Sequence, residues 1–468
     1  MTVSITVRTP RLSRDYNRYT MGNILLNSNI NYIMIIIIIT KCNFKMKITS
    51  KNMEIIKDKF KSTQCRICNT KNLHTFLSLG SMPIPNGFFG QSQLKDKEIQ
   101  YPLEACVCTN CWLVQLTHTI PASIMFKNYL YIPSTSTTML SHFKTFAEET
   151  IDKFKLKHFD LVIDIGSNDG TLLGYFKDQE IKVLGIDPAS NLAQVARLKG
   201  IDTIDDFFTS TLARQIALKY GKAKVITATN VVAHIDNLHD MCKGVDELLD
   251  KNGVFICEFP YVVDLIDKNE FDTIYHEHLS YFAIKPLITL FERYDFSIFD
   301  IKRTSIHGGS IRVYVDRKKS KYKQKKIVNE FIKQEELKKM NKLNTYEDFA
   351  RRVKVIKRDL VDYLKKQKEQ GKKIVGYGAS AKGNVLLNYC EITTSLLDYI
   401  VDSISYKQGL FTPGTHIPIY PESILNKDMP DYVLLLAWNF ADEILRKQIT
   451  YREHGGQFII TIPYLRIE

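Results

Sequence analysis

Short apolar runs separated by amphipathic stretches set the pattern of the middle of this chain. Leu161 to Ile165, Val183 to Ile186, Val225 to Ala228 and Val254 to Phe259 are each bounded by Gly, Asp or Asn. Such runs read as strands buried on both faces, and the helical spacing between them supplies the crossovers that parallel strands need. The pattern over 121–315 predicts a doubly wound parallel α/β domain, entered through a helix at Met139 to Phe154. A second series begins at Lys373. Ile374-Val375-Gly376, Leu397 to Asp402, Tyr432 to Ala437 and Phe458 to Ile462 predict another α/β sheet over 373–468. Between the two, residues 316–372 carry Leu, Ile and Val at three-to-four spacing among many lysines and predict a helical connector. Residues 61–120 predict a small unit of short strands and turns. No solenoid-type repeat is present.

Residues 1–60 have no amphipathic period. Tyr32-Ile33-Met34-Ile35 and the four isoleucines that follow are too short to span a bilayer. Arg8, Arg11, Arg14 and Arg18 give this segment the look of a transit peptide or signal n-region, but Lys41-Cys42-Asn43 is a poor cleavage site. The expectation is a disordered or untranslated leader, with Met46 or Met53 as the true start.

Length and charge narrow the class. The 468 residues allow about two to four domains. An apolar content of 44% excludes a disordered chain, and no apolar run approaches the ~20 residues of a membrane span. The net charge of +13 invites a nucleic-acid partner. Residues 1–60 carry +7 and residues 317–373 carry +13, which leaves −7 for everything else. The candidate chemistry therefore sits in a mildly acidic background, which argues against nucleic acid.

Nine cysteines, an odd number clustered early in a long chain, do not make a secreted disulfide framework and point to the cytoplasm. Cys65-Arg-Ile-Cys68 and Cys108-Thr-Asn-Cys111 are two CxxC pairs. Each can form a knuckle that aims two thiolates at one ion, and four thiolates satisfy tetrahedral zinc with no position left for substrate. The expectation is a structural zinc site, with Cys106 turned the other way into the core. Redox thiols are the alternative.

Asp164-Ile-Gly166-Ser167-Asn168-Asp-Gly170 follows a predicted strand and precedes a predicted helix. Glycines there let backbone approach a ligand closely. Seventeen residues on, the next strand ends at Asp187, placed to accept hydrogen bonds from ribose hydroxyls. Asn168 stands where a dinucleotide fingerprint has its second glycine and would crowd a pyrophosphate. S-adenosylmethionine, which has no phosphates, fits better. Asn230-Val-Val-Ala-His234 at the third strand end would line the methionine side. A purely structural turn is the alternative.

Tyr275-His276-Glu277-His278-Leu279-Ser280-Tyr281 lies downstream of the Glu258-Phe-Pro260 strand end, and strand ends are where doubly wound sheets hold ligands. A neutral imidazole is a suitable general base at neutral pH; a polar surface turn is the bland alternative. His307-Gly308-Gly309-Ser310-Ile-Arg312 offers close backbone approach and an arginine for a phosphate or carboxylate, or else a plain hairpin turn.

These motifs, in this order, together with Gly376-Tyr-Gly-Ala-Ser-Ala-Lys-Gly383, Val401 to Gly409 and Thr412 to Ile417, resemble the class I S-adenosylmethionine-dependent sugar C-methyltransferases. These enzymes build branched deoxysugars on nucleotide carriers. The resemblance covers residues 64–465. It implies a zinc-binding domain at 61–120, a methyltransferase domain at 121–315 and a Rossmann-like nucleotide-sugar domain at 373–468. It also implies a keto-deoxysugar substrate on a nucleoside diphosphate, typically thymidine diphosphate. A histidine of the Tyr-His-Glu-His motif would remove the proton beside the ketone, and the enolate would attack the methyl group. On this resemblance the base is His278, with Glu277 orienting the base or the sugar and Tyr275 and His234 on the carbonyl side. Cofactor contacts fall to Asp164, Gly166, Ser167, Asn168, Gly170, Asp187, Asn230 and Tyr131, with Tyr129 as the alternative tyrosine. Lys382 and Lys407 are available to neutralise a diphosphate. The Lys-rich connector and the leader depart from the family pattern.

Two other functions compete. A methyltransferase acting on RNA would be expected to place basic and aromatic residues around the catalytic face, and one acting on another small molecule is the second form of this alternative. A binding protein without catalysis would be expected to have lost the His/Glu cluster.

Overall fold

The computed structural model describes residues 60–126, 129 and 132–468. The leader, its isoleucine run and Tyr131 lie outside the described residues. Among those described, no helix is long and apolar enough to cross a membrane.

The predicted central sheet has seven strands. Their order is Phe296–Thr304, Ser310–Arg317, Leu249–Pro260, Ala223–Thr229, Leu161–Ile165, Lys182–Ile186 and Thr203–Ile204. The last five are mutually parallel, and Ser310–Arg317 runs antiparallel to both neighbours. Chain order reverses beside Leu161–Ile165, and at such a switch point the loops part to leave a crevice at the carboxyl ends of the strands. The Phe296–Thr304/Ser310–Arg317 hairpin was not among the predicted strands. It extends the sheet past the parallel portion, and His307-Gly308-Gly309 makes its turn.

The C-terminal sheet has six strands, in the order Ile419–Pro421, Ile400–Asp402, Ile374–Tyr377, Tyr432–Leu435, Gln457–Ile460 and Arg466–Ile467. All are parallel except the last, which is antiparallel to its neighbour. The connector is two helices, Lys326–Leu337 and Leu343–Glu369, with Lys339 in the left-handed region between them. Val328, Phe331, Tyr346, Phe349, Val353 and Leu360 are buried along one face of this pair, which leaves the lysines outside.

The cysteine unit forms a four-stranded antiparallel sheet, Leu73–Met82, Tyr101–Cys108, Val114–Leu116 and Ser280–Tyr281. Its fourth strand comes from the segment immediately after His278. The small domain is thus joined by backbone hydrogen bonds to the Tyr-His-Glu-His segment.

Candidate active site

The sulfurs of Cys65, Cys68, Cys108 and Cys111 lie within 4.8 Å of one another, with Cys65–Cys111 and Cys68–Cys108 each 3.4 Å apart. A hydrogen bond from Cys111 pulls the Cys65 thiol well below its usual range. Cys106, as expected, is a core residue, its thiol pushed up to about 12 by burial. Four convergent thiols suit tetrahedral zinc, and all four ligand positions are taken by protein.

At the switch point of the central sheet, the Asp164–Gly170 loop turns under one wall of a cavity of about 470 Å³. Gly166, Asn168 and Gly170 have φ of 71°, 52° and 76°. A Cβ on Gly166 would lie 2.7 Å from the Val231 side chain, so glycine is required there. Asp187 accepts from the backbone amides of Asn168 and Ala189, both at 2.8 Å, which locks the acid against the loop. Asp164 accepts from Thr227 Oγ1 at 2.7 Å, and burial raises its carboxyl to about 7. Ser167 Oγ and Asn230 Oδ1 are buried on this wall without a hydrogen-bond partner among the described residues. Buried polar atoms left unpaired are costly, and here they await a polar ligand. S-adenosylmethionine fits this wall: polar at both ends, uncharged by phosphate, and met by an acid at the second strand end.

The imidazoles of His234 and His278 line the same cavity. His278 Nδ1 lies 2.9 Å from the Thr273 carbonyl, which accepts its proton, so Nε2 is the unprotonated nitrogen. The Tyr275 hydroxyl is 2.8 Å from that Nε2. The His234 ring sits with its centroid 5.0 Å from that of His278 and stacks on Phe126. Burial holds His234 down at about 4, and burial with the neighbouring His234 ring holds His278 well below the usual 6.5. Both rings are therefore neutral at physiological pH. The cavity then extends to the C-terminal domain, where Lys382, Asp402, Lys407 and Glu422 line it.

One curated protein aligns over nearly its whole length with this architecture. C-methyltransferase NovU of Streptomyces niveus is 34% identical over 404 residues, which is 86% of this chain and 96% of NovU. The chain belongs to the C-methyltransferase family. Three family models divide it: "Putative zinc binding domain" over 65–126, "Methyltransferase domain" over 139–300 and "C-methyltransferase C-terminal domain" over 305–463. Similar solved structures include the plantazolicin methyltransferase BpumL in complex with SAH, 15% identical, covering 39% of this chain and 84% of that one with a TM-score of 0.31. Magnesium protoporphyrin IX methyltransferase from Synechocystis PCC 6803 with bound SAM is 14% identical, covering 41% and 86% with a TM-score of 0.30. The protein is an S-adenosylmethionine-dependent C-methyltransferase with a zinc-binding N-terminal domain.

In this C-methyltransferase several charged side chains of the site already have protein partners, Glu277 among them. Its carboxylate accepts from Asn86 Nδ2 at 2.6 Å and from the Tyr129 hydroxyl at 2.8 Å, and both of those residues line the cavity. Arg312 is not free for a phosphate: its Nε donates to Glu258 at 2.8 Å, its Nη1 reaches Glu149 at 3.3 Å, and its plane covers Phe146. Lys407 is already committed to the Ala379 carbonyl at 2.7 Å and lies 3.7 Å from Asp402. His276 points away from the cavity toward the Tyr101 carbonyl.

Sequence reasoning missed Asn86, Thr273, Glu270 and Asp272. Thr273 orients His278, and the two acids face Lys382 from behind the wall. Asn86 had a weak signal, an Asn-Gly turn after two prolines in the small domain.

Proposed function

We propose that this C-methyltransferase transfers the methyl group to the carbon beside the ketone of a nucleotide-linked keto-deoxysugar, with His278 as general base. The observation that carries this is that the imidazoles and the cofactor loop line one cavity. The unprotonated Nε2 of a neutral, buried imidazole opens on the same cavity as the cofactor loop, and that cavity continues to cationic and polar groups of a second α/β domain. A small acceptor would need only the first part of it. A nucleotide-linked sugar uses the whole length, which the sequence resemblance also implies.

S-adenosylmethionine supplies an electrophilic methyl whose departing sulfur keeps the bonding pair. His278 Nε2 takes the proton from the carbon beside the ketone, leaving the electron pair on an enolate that closes the new C–C bond. With Nδ1–H held by the Thr273 carbonyl, the imidazolium formed is stabilised without ring rotation. Tyr275 turns its hydroxyl from Nε2 to the enolate oxygen when substrate occupies the position beside the base, and the His234 edge faces the same charge. Donors aimed at the developing oxyanion supply much of the barrier lowering. Glu277 holds Tyr129 and Asn86 against the sugar side.

The test is incubation with S-adenosylmethionine and a panel of nucleotide 4-keto-6-deoxysugars, followed by mass measurement. One added methyl on at least one sugar is expected; none on any member of the panel sinks the substrate class.

A further inference from the structure

Arg66 sits inside the first zinc knuckle, between Cys65 and Cys68, yet its side chain leaves the metal and enters the boundary with the methyltransferase domain. Its backbone amide donates to Gln115 Oε1 at 2.9 Å. The guanidinium, with 3% of its side-chain surface exposed, donates from Nε to Asp236 Oδ1 at 3.0 Å. Nη1 donates to the carbonyls of Leu116 and Leu279, both at 3.1 Å, and Nη2 to Thr119 Oγ1. Two of those acceptors flank the imidazoles. Leu279 follows His278 in the chain, and Asp236 stands two residues after His234 and lines the cavity.

The peptide after His278 is gripped from both sides. The Leu279 amide donates to the Ala233 carbonyl at 2.7 Å, next to His234, while the Leu279 carbonyl also accepts from the Leu116 amide at 3.0 Å. Arg66 reaches both imidazole-bearing segments at once from a loop anchored in the four-cysteine cluster. The fork is suited to this: guanidinium presents five donors in a rigid plane, whereas an ammonium is one point charge on a flexible stem. A shift of about 1 Å in such a site costs on the order of 100-fold in rate.

We propose that Arg66 is a positioning residue that carries the rigidity of the zinc knuckle to His278 and His234. The zinc domain then sets the spacing of the two rings as well as stabilising its own fold. The proposal rests on His278 acting as the base, and its test includes a measurement that needs no substrate.

The full-length zinc-loaded protein is compared with R66K, which keeps the charge and loses the fork, and D236N, which weakens one arm at an exposed position. The first readout is the nitrogen-15 spectrum of the His278 and His234 rings without ligand; the second is the split between kcat and KM for methyl transfer. The expected result for R66K is a move of His278 from one Nδ1–H tautomer to a mixture. It should also lower kcat about 10- to 100-fold, as loss of outer-shell partners does, with zinc content, cofactor KM and far-ultraviolet dichroism unchanged. D236N should move both readouts the same way by less. Unchanged ring signals and kcat in both variants would overturn the proposal, and so would loss of zinc in R66K accompanying the change. If the wild type methylates no sugar of the panel, the substrate class fails while the ring spectra still decide the role of Arg66.

Discussion

The Tyr275 hydroxyl lies 2.8 Å from His278 Nε2, the nitrogen left unprotonated by the bond from Nδ1 to Thr273. On the proposed mechanism the tyrosine occupies the position that the substrate C–H takes, and moves from there to the enolate oxygen. Tyr275→Phe keeps the ring packing and removes that donor. Loss of one oxyanion donor costs roughly 100- to 1,000-fold in kcat, so a fall of that order is expected, with cofactor affinity unchanged. His278→Ala should abolish both methyl transfer and solvent-deuterium exchange at the acidic carbon. Exchange persisting in the alanine variant would assign the base elsewhere.

Two groups of the site titrate in separable ranges. Burial raises the Glu277 carboxyl to about 7, while burial and His234 hold His278 well below 6.5. For the imidazole, a depressed value means the base form persists as pH falls through 6.5 and is lost only below it. For the carboxyl, a raised value means the charged acceptor that Tyr129 and Asn86 donate to is lost earlier, as pH falls through about 7. The pH profile of kcat/KM should therefore drop first near pH 7 and again in more acid solution. Glu277→Gln should remove the upper limb and keep the lower one. An upper limb that survives this substitution would detach it from Glu277.

Asp187 accepts from the Asn168 and Ala189 amides and lines the cavity. Asp187→Ala removes the proposed acceptor for a ribose and also frees the Asn168 loop. With hydrogen bonds to charged groups worth roughly 1.5–3 kcal/mol each, a rise in the dissociation constant for S-adenosylmethionine of at least about tenfold is expected by calorimetry. A change under about twofold would show that Asp187 only braces the loop.

What could be read along the chain was what local spacing controls. Gly166 and Gly170 announce a loop of close backbone approach between a strand and a helix, and both have positive φ there, as does Asn168. The CxxC pairs likewise converge because two-residue turns leave few other arrangements. Roles that depend on direction or distance were not legible. Glu277 and His278 are adjacent in the chain, but Glu277 lies in the turn closed by the His278 amide on the Tyr275 carbonyl, and from there its carboxylate reaches Asn86, 191 residues earlier. Arg312 looked available beside two glycines, yet its strand faces Glu258 across the antiparallel pair, and a buried charge takes the nearest partner.

The four-thiol site contributes folding energy to the small domain, because zinc binds a site that does not exist in the unfolded chain. Cys108→Ser should lose zinc and lower the midpoint of thermal unfolding. Cys106→Ser, outside the cluster, should retain one zinc per chain by native mass spectrometry. Retention of zinc by the Cys108 variant would disqualify that thiol as a ligand.

Behind the cavity wall, Lys382 of the C-terminal domain meets two buried acids of the methyltransferase domain. Its ammonium lies 4.5 Å from the Trp438 ring centroid and donates to the His307 carbonyl at 3.3 Å, while Trp438 Nε1 donates to Asp272 at 2.6 Å. Both carboxylate oxygens of Glu270 are buried without hydrogen-bond partners among the described residues, so charge attraction is the compensation they have. Burial raises Glu270 to about 7 and Asp272 to about 6, and Lys382 opposes both shifts. Removing the cation leaves uncompensated buried acid, which costs about 3–5 kcal/mol where a buried pair is broken. Lys382→Met should therefore lower stability to urea by about that amount at pH 8, where both acids are charged, and by less at pH 5, where both are protonated. The double variant K382M/E270Q should recover part of the loss at pH 8. Purely additive effects of the two substitutions would show that the lysine and the acid do not interact.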